Sequence, residues 1–208
     1  MDNSSAHATP TAAALRIGGY VPCSLSDFPG RIAAVVFTQG CNWRCPWCHN
    51  AALVYPEQFT PPIPVGDILA RLANRRGKLD GVVVSGGEPT LHAGLPDFLR
   101  QVRALGFATK HDTNGSHPEV VRALLAARLL DYVAMDLKAP WSRYAETTGS
   151  PVDLAALAET LALLRSSGIE HQLRTTRWPG LTESDFAEIA QIATGSPHVW
   201  QDYRAVTA

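Results

Sequence analysis

Six short β-rich runs, separated by amphipathic helical stretches, leave this chain few architectures to choose from. Residues 31–38 carry Ile32, Ala33, Ala34, Val35, Val36 and Phe37 almost without interruption, the pattern of a strand buried on both faces. Further strands are predicted at 81–84, 108–112, 132–136, 171–176 and 199–204. The helical stretches between them fall at 65–74, 95–105, 118–129, 152–167 and 183–193. Repeated βα units with short connections imply parallel strands and right-handed crossovers. Six units are too few to close an eight-stranded barrel. The expected fold is therefore α/β, an open, partial (β/α)6 barrel of the TIM type. Residues 17–30, ending in Phe28-Pro29-Gly30, read as an irregular or hairpin-like approach to it. A single domain is expected over 15–208, after a disordered leader at 1–14 rich in Ala, Ser, Thr and Asn. The last strand runs almost to residue 208, so no auxiliary domain is expected after it.

The composition narrows the function. A net charge of −1 gives no electrostatic footprint for nucleic acid. The densest basic group, Arg71, Arg75, Arg76 and Lys78, falls at the end of a predicted helix, where cations suit the helix dipole and solvent. No apolar run approaches the roughly 18 residues of a membrane span, so no membrane attachment is expected. Residues 1–14 lack the basic start and apolar run of a signal peptide. A cytoplasmic protein is the expectation.

Three of the four cysteines lie within eight residues, in Cys41-Asn42-Trp43-Arg44-Cys45-Pro46-Trp47-Cys48. This loop directly follows the first predicted parallel strand. A structural zinc site closes its tetrahedron with four ligands, and a four-iron cluster normally takes four thiolates. A zinc reading would have to recruit His49, adjacent to Cys48 and badly placed, or the distant Cys23. Three thiolates on one loop instead suit a [4Fe-4S] cluster with one iron left open for a second ligand. Cys23, left over, cannot build a disulfide framework and reads as a lone structural thiol, in keeping with a reducing compartment.

The other polar motifs also fall where strands end, the ligand-binding edge of such a fold. The second strand ends in Gly86-Gly87-Glu88-Pro89, where paired glycines admit a close backbone approach and Glu88 adds an acceptor. The third ends in Asp112-Thr113-Asn114-Gly115 and the fourth in Asp136-Leu137-Lys138. Asp112, Thr113 and Asp136 together offer the carboxylate and hydroxyl oxygens that suit a hard cation.

The cysteine spacing, with Trp47 just before Cys48, resembles the radical S-adenosylmethionine (SAM) superfamily. The resemblance implies that Cys41, Cys45 and Cys48 hold the cluster, that the open iron takes the amino and carboxylate groups of SAM, and that Trp47 helps to seat the adenine. It assigns Gly86, Gly87 and Glu88 to the SAM amino group. The Asp112–Gly115 and Asp136–Lys138 motifs resemble a narrower group, the glycyl-radical-enzyme activases. There the resemblance implies that Lys138 pairs with the SAM carboxylate, and that Asp112, Thr113 and Asp136 surround a monovalent cation beside it. Ser26-Asp27-Phe28-Pro29-Gly30, the run from Phe37 to Asn42, the run from Val133 to Pro140 and Arg174-Thr175-Thr176 look most like activating proteins of anaerobic ribonucleoside-triphosphate reductase. His111 departs from the apolar residue expected at its position, and a buried, hydrogen-bonded side chain is expected there.

The implied chemistry is reduction of the cluster by flavodoxin or ferredoxin and reductive cleavage of SAM to methionine and a 5′-deoxyadenosyl radical. That radical then takes a hydrogen from a glycine Cα of a partner enzyme. Two alternatives stay open at this point: a radical SAM enzyme acting on a small molecule or nucleobase precursor, and a non-catalytic metal- or cluster-binding regulator.

Overall fold

The computed structural model describes residues 15–205, and the leader expected at 1–14 lies outside them. Seven strands form one sheet in the order of the chain. They are β1 (Ile17–Ser24), β2 (Ala33–Thr38), β3 (Gly81–Gly86), β4 (Ala108–Thr113), β5 (Tyr132–Asp136), β6 (Glu170–Thr176) and β7 (His198–Gln201). From β2 to β7 every pairing is parallel, which gives the expected six units. The approach segment adds a seventh strand: β1 pairs antiparallel with β2, with register shifts on either side of Gly19–Val21. No pairing joins β7 to β1 among the described residues, so the sheet stays open.

The helices are α1 (Ala51–Val54), α2 (Val65–Ala73), α3 (Leu95–Ala104), α4 (Pro118–Ala126), α5 (Tyr144–Thr148), α6 (Leu154–Ser166) and α7 (Glu183–Ala193). The longer ones follow the apolar periodicity. On α3, Leu95, Phe98, Leu99 and Val102 are buried at spacings of three and four, one stripe of the helix. Caps fix the starts of α6 and α7. Asp153 accepts the N–H groups of Ala155 and Ala156, and Thr182 with Asp185 forms a reciprocal capping box. Two predicted helices are three residues shorter than expected, and α6 spans Leu154–Ser166 in place of 152–167. α4 ends at Ala126 instead of continuing to 129, because Arg128 takes a left-handed φ of 53° that breaks the helical run.

The strands carry two different faces. Val36, Val82, Val84, Val133, Met135 and Leu173 face the helices and join the main apolar core. The inner face begins apolar, with Phe28, Ala33, Val35 and Val83 packed together. Further round it turns polar, since Lys110, Asp112, Asp136 and Arg174 all lie on that side. Arg174 on β6 reaches Asp112 on β4 across the intervening strand, where register places the small Ala134 beside Asp112. None of the described helices is long and apolar enough to cross a membrane.

Candidate functional site

A cavity of about 430 Å³ opens along the carboxyl ends of the parallel strands. That volume lies within the range of small-molecule sites. Cys41, Cys45, Trp47, Cys48, Gly86, Gly87, Asp112, Thr113, Asp136 and Lys138 all line it, so one wall gathers motifs from four strand ends. Arg174, Thr176 and Gln201 complete the far side.

The cysteine loop leaves β2 at Gly40 and is held by neighbours on both sides. Arg44 donates its side chain to the carbonyls of Cys41 and Trp43, at 2.7 and 2.9 Å. Its backbone N–H reaches the Thr148 carbonyl at the end of α5, 2.9 Å away. Trp43 packs edge-on against Tyr144, and Cys48 N–H donates to the Cys45 carbonyl. On the opposite side Asn114 donates to the Asn42 side chain, and Asn42 in turn donates to Ser116. All four cysteines are free thiols. Burial pushes the Cys41 thiol up to about 11 and raises Cys45 as well, so loading a metal here must displace protons.

The donor set fits an open cluster better than a single ion. Among the described residues no three His, Cys, Asp or Glu side chains converge closely enough to hold one metal ion. Zinc would need its sulfurs about 2.3 Å from one centre, whereas an iron–sulfur cube takes thiolates spread around its corners. Cys23 stands exposed on β1 and does not line the cavity. Three soft, free thiols facing a cavity suit the [4Fe-4S] group.

The glycine pair serves close approach. A Cβ on Gly87 would lie 2.0 Å from the Gly40 carbonyl oxygen, and Gly86 has a φ of 113° that side chains rarely adopt. The loop after β3 can therefore lie directly on the loop after β2, with Gly87 N–H donating to Thr38 and Glu88 N–H to Gly40. Glu88 itself is fully buried and absent from the cavity wall. Its Oε1 accepts from Thr90 N–H, the Thr90 hydroxyl and the Thr113 hydroxyl, and its Oε2 accepts from Asn114 N–H at 2.6 Å. The carboxylate expected to meet a ligand amine ties two motif loops together.

The acidic residues are also differently engaged than expected. Asp112 accepts from Lys110 at 2.5 Å and from Arg174 at 2.9 Å. Asp136 accepts from Lys138 and from Arg174, each at 2.9 Å. Burial alone would raise both carboxyl groups, but the neighbouring cations overcome it. Asp112 is lowered, and Asp136 falls to about 2 under Arg174 and Lys138. Conversely Asp136 and Cys45 outweigh burial and hold Lys138 well above the ordinary lysine range. The Thr113 hydroxyl donates to Glu88 and accepts from Gly115 N–H. At the positions expected to surround a monovalent cation, side-chain cations therefore pair with the carboxylates of Asp112 and Asp136, and the Thr113 hydroxyl is shared between the Glu88 carboxylate and the Gly115 N–H.

Several contributors escaped the sequence reading. Arg174 was noted only as part of a matching run, yet it bridges both aspartates. Tyr144 accepts Lys138 N–H and donates to the Asp136 carbonyl, which fixes the end of the Asp-Leu-Lys motif. Trp178, after β6, stacks on Trp47. Only the aromatic character of Trp178 signalled it, with no spacing to mark a partner. Trp47 is 5% exposed in that stack while still reaching the cavity wall. His111 is buried as expected but faces the helix side, and neither ring nitrogen meets a hydrogen-bond partner. Burial lowers its pKa and keeps it neutral.

Comparison with known proteins supports the same reading. The radical SAM superfamily model matches residues 35–193. A Methanocaldococcus jannaschii protein named as a glycyl-radical enzyme activating enzyme is 34% identical over 183 residues, covering 84% of this chain and 74% of its own. Pyruvate formate-lyase 1-activating enzyme of Escherichia coli is 33% identical over 131 residues, or 59% of this chain, and the match spans only 52% of that enzyme. Among solved structures, Streptococcus suis SuiB bound to its precursor peptide shares the fold, with a TM-score of 0.66 at 16% identity. That match covers 82% of this chain and 39% of SuiB. With its cysteine loop, strand-end motifs and relatives in agreement, the chain belongs to the radical SAM superfamily, whose cofactors are a [4Fe-4S] cluster and SAM, and to its glycyl-radical-enzyme activating group.

Proposed function

We propose that this protein generates a glycyl radical on a partner enzyme, with anaerobic ribonucleoside-triphosphate reductase the favoured partner. The observation that carries the reading is one cavity walled by three free thiols, a close-approach glycine pair and a cationic cluster. When bound, the cluster and SAM supply reductive cleavage of the sulfonium and hydrogen abstraction from a glycine Cα. Flavodoxin or ferredoxin is the proposed electron donor, and a cytoplasmic setting suits the free thiols.

The chain's own residues orient and enclose. Cys41, Cys45 and Cys48 would hold three irons. Gly86 and Gly87 bring backbone to the ligand amine, while Lys138 and Arg174 place positive charge for its carboxylate. Trp47 would flank the adenine. No side chain of the site is required to shuttle a proton, because the chemistry is hydrogen-atom transfer. The open edge between β1 and β7 suits entry of a glycine-bearing loop from another protein. Residues 15–208 are proposed to form a single radical SAM domain.

Anaerobic reconstitution with iron and sulfide, reduction by dithionite, and addition of SAM with the candidate reductase tests this by EPR. A glycine-centred doublet that depends on SAM is the expected result. Release of 5′-deoxyadenosine without the doublet would reject that partner and favour another substrate. A protein that takes up one zinc and no cluster would overturn the enzymatic reading.

A further inference from the structure

The inner face of the barrel carries a lysine that the proposed function leaves without a task. Lys110 points inward from β4, its side chain only 1% exposed, and its ammonium lies 2.5 Å from Asp112. The ring of Tyr132 stands 6.0 Å from the same nitrogen. Val83 on one side and Tyr132 on the other are its register partners, and among the described residues Asp112 is its ion-pair partner. A charge this deeply buried is costly unless paired, and its presence therefore demands a reason.

Lys110 forms one end of a continuous chain: Lys110 to Asp112, Asp112 to Arg174, Arg174 to Asp136, and Asp136 to Lys138. Three cations face two carboxylates along this chain of ion pairs, so the chain itself carries one surplus positive charge. One ligand carboxylate would neutralise the group. A metal ion added among the same carboxylates would instead raise the imbalance to two positive charges, and both oxygens of each aspartate are already engaged. Without Lys110 the count changes: two cations would balance two carboxylates, and Asp112 Oδ1 would be left open to a cation from solution.

We propose that Lys110 is a built-in counter-cation for Asp112, so that this protein binds the carboxylate of SAM without a monovalent metal ion. The proposal rests on the SAM-binding reading above. Lys110 acts as a positioning residue. It holds Asp112 against Arg174, and Arg174 and Lys138 keep a surplus of charge for the ligand.

The test is calorimetric titration of SAM into the reconstituted holoenzyme with tetramethylammonium as the sole cation, repeated with added potassium or sodium. The unaltered protein should bind SAM with a dissociation constant that the ions change by no more than about two-fold. Lys110→Met should bind roughly ten-fold more weakly in tetramethylammonium and recover with potassium or sodium, while Lys110→Arg should resemble the unaltered protein. A direct probe accompanies it: thallium-205 NMR, with Tl⁺ standing in for potassium, should show bound ion in Lys110→Met and none in the unaltered holoenzyme. Tight Tl⁺ binding by the unaltered protein, or SAM affinity that climbs about ten-fold with potassium, overturns the proposal. Metal-independent binding by Lys110→Met equal to that of the unaltered protein overturns the role of Lys110. If Lys110→Met does not fold, the ion series and the thallium spectrum of the unaltered protein still decide. Failure to bind SAM under every ionic condition would count against the SAM reading itself, a result distinct from any ion dependence.

Discussion

Trp47 and Trp178 lie stacked, with ring centroids 4.6 Å apart and planes 25° from parallel, although they sit on loops that follow different strands. The contact ties the cysteine loop after β2 to the loop after β6, beside the cavity that Trp47 lines. The turn at Gly180 permits it, since a Cβ there would lie 2.2 Å from the Trp178 ring. An aromatic pair of this kind contributes about 0.5–1.5 kcal/mol beyond its buried area.

Removing that support should loosen Trp47 without removing it. Trp178→Ala is expected to weaken SAM binding by about three- to ten-fold, with the iron content unchanged. Trp178→Phe should restore most of the affinity. Equilibrium dialysis of the reconstituted variants measures this, and undiminished binding by Trp178→Ala would show that Trp47 needs no such partner.

The thiols should divide three to one. Cys41→Ala, Cys45→Ala and Cys48→Ala should each abolish SAM cleavage and lower the bound iron, since each removes a corner of the cluster. Cys23→Ala should retain most activity, because that thiol is exposed on β1 and away from the cavity. An inactive Cys23→Ala protein with full iron uptake would require a different ligand set.

Glu88 offers a test of bracing against direct ligand contact. Its carboxylate accepts four hydrogen bonds, so Glu88→Gln turns an amide NH2 toward groups that are themselves donors. The expected loss of stability is about 1–3 kcal/mol, read as a lower urea midpoint. A variant as stable as the parent but unable to bind SAM would return Glu88 to direct contact with the ligand.

Asp136 links stability to pH in a defined direction. Its folded pKa is depressed from 3.8 to about 2, so the charged form is favoured by folding. The stabilisation is present above pH 3.8 and is lost as the pH falls through 2, with a size of about 2 kcal/mol. Asp136→Asn should therefore be less stable than the parent at pH 5–7, and the gap should close between pH 4 and 2. Denaturation midpoints of the two proteins across that range give the answer, and a gap that stays constant would exclude the ion pairs as its origin.

Much of the fold was legible because apolar periodicity follows directly from chain geometry. The strand at Tyr132–Asp136 and the helix at Glu183–Ala193 have the bounds their patterns predict. β1 was harder to read: its central residues are only partly buried, and its pairing with β2 is interrupted by register shifts, so no clean alternation marks it. The end of α4 was missed because a left-handed Arg128 leaves none of the signature that glycine would.

For the site, the sequence by itself determined the chemical inventory: three thiols on one loop, a glycine pair, and acidic and basic residues at successive strand ends. Local spacing is sufficient there, because each motif is contiguous and each strand delivers its motif to the same edge of the sheet. Only the tertiary structure decided which charges meet. Arg174 satisfies aspartates from two other strands, Lys110 turns inward to a third position of the same network, and Glu88 closes on backbone and hydroxyl donors. Those outcomes depend on sheet register and on the small Ala134 between the charged strands, distances through space to which spacing along the chain is blind.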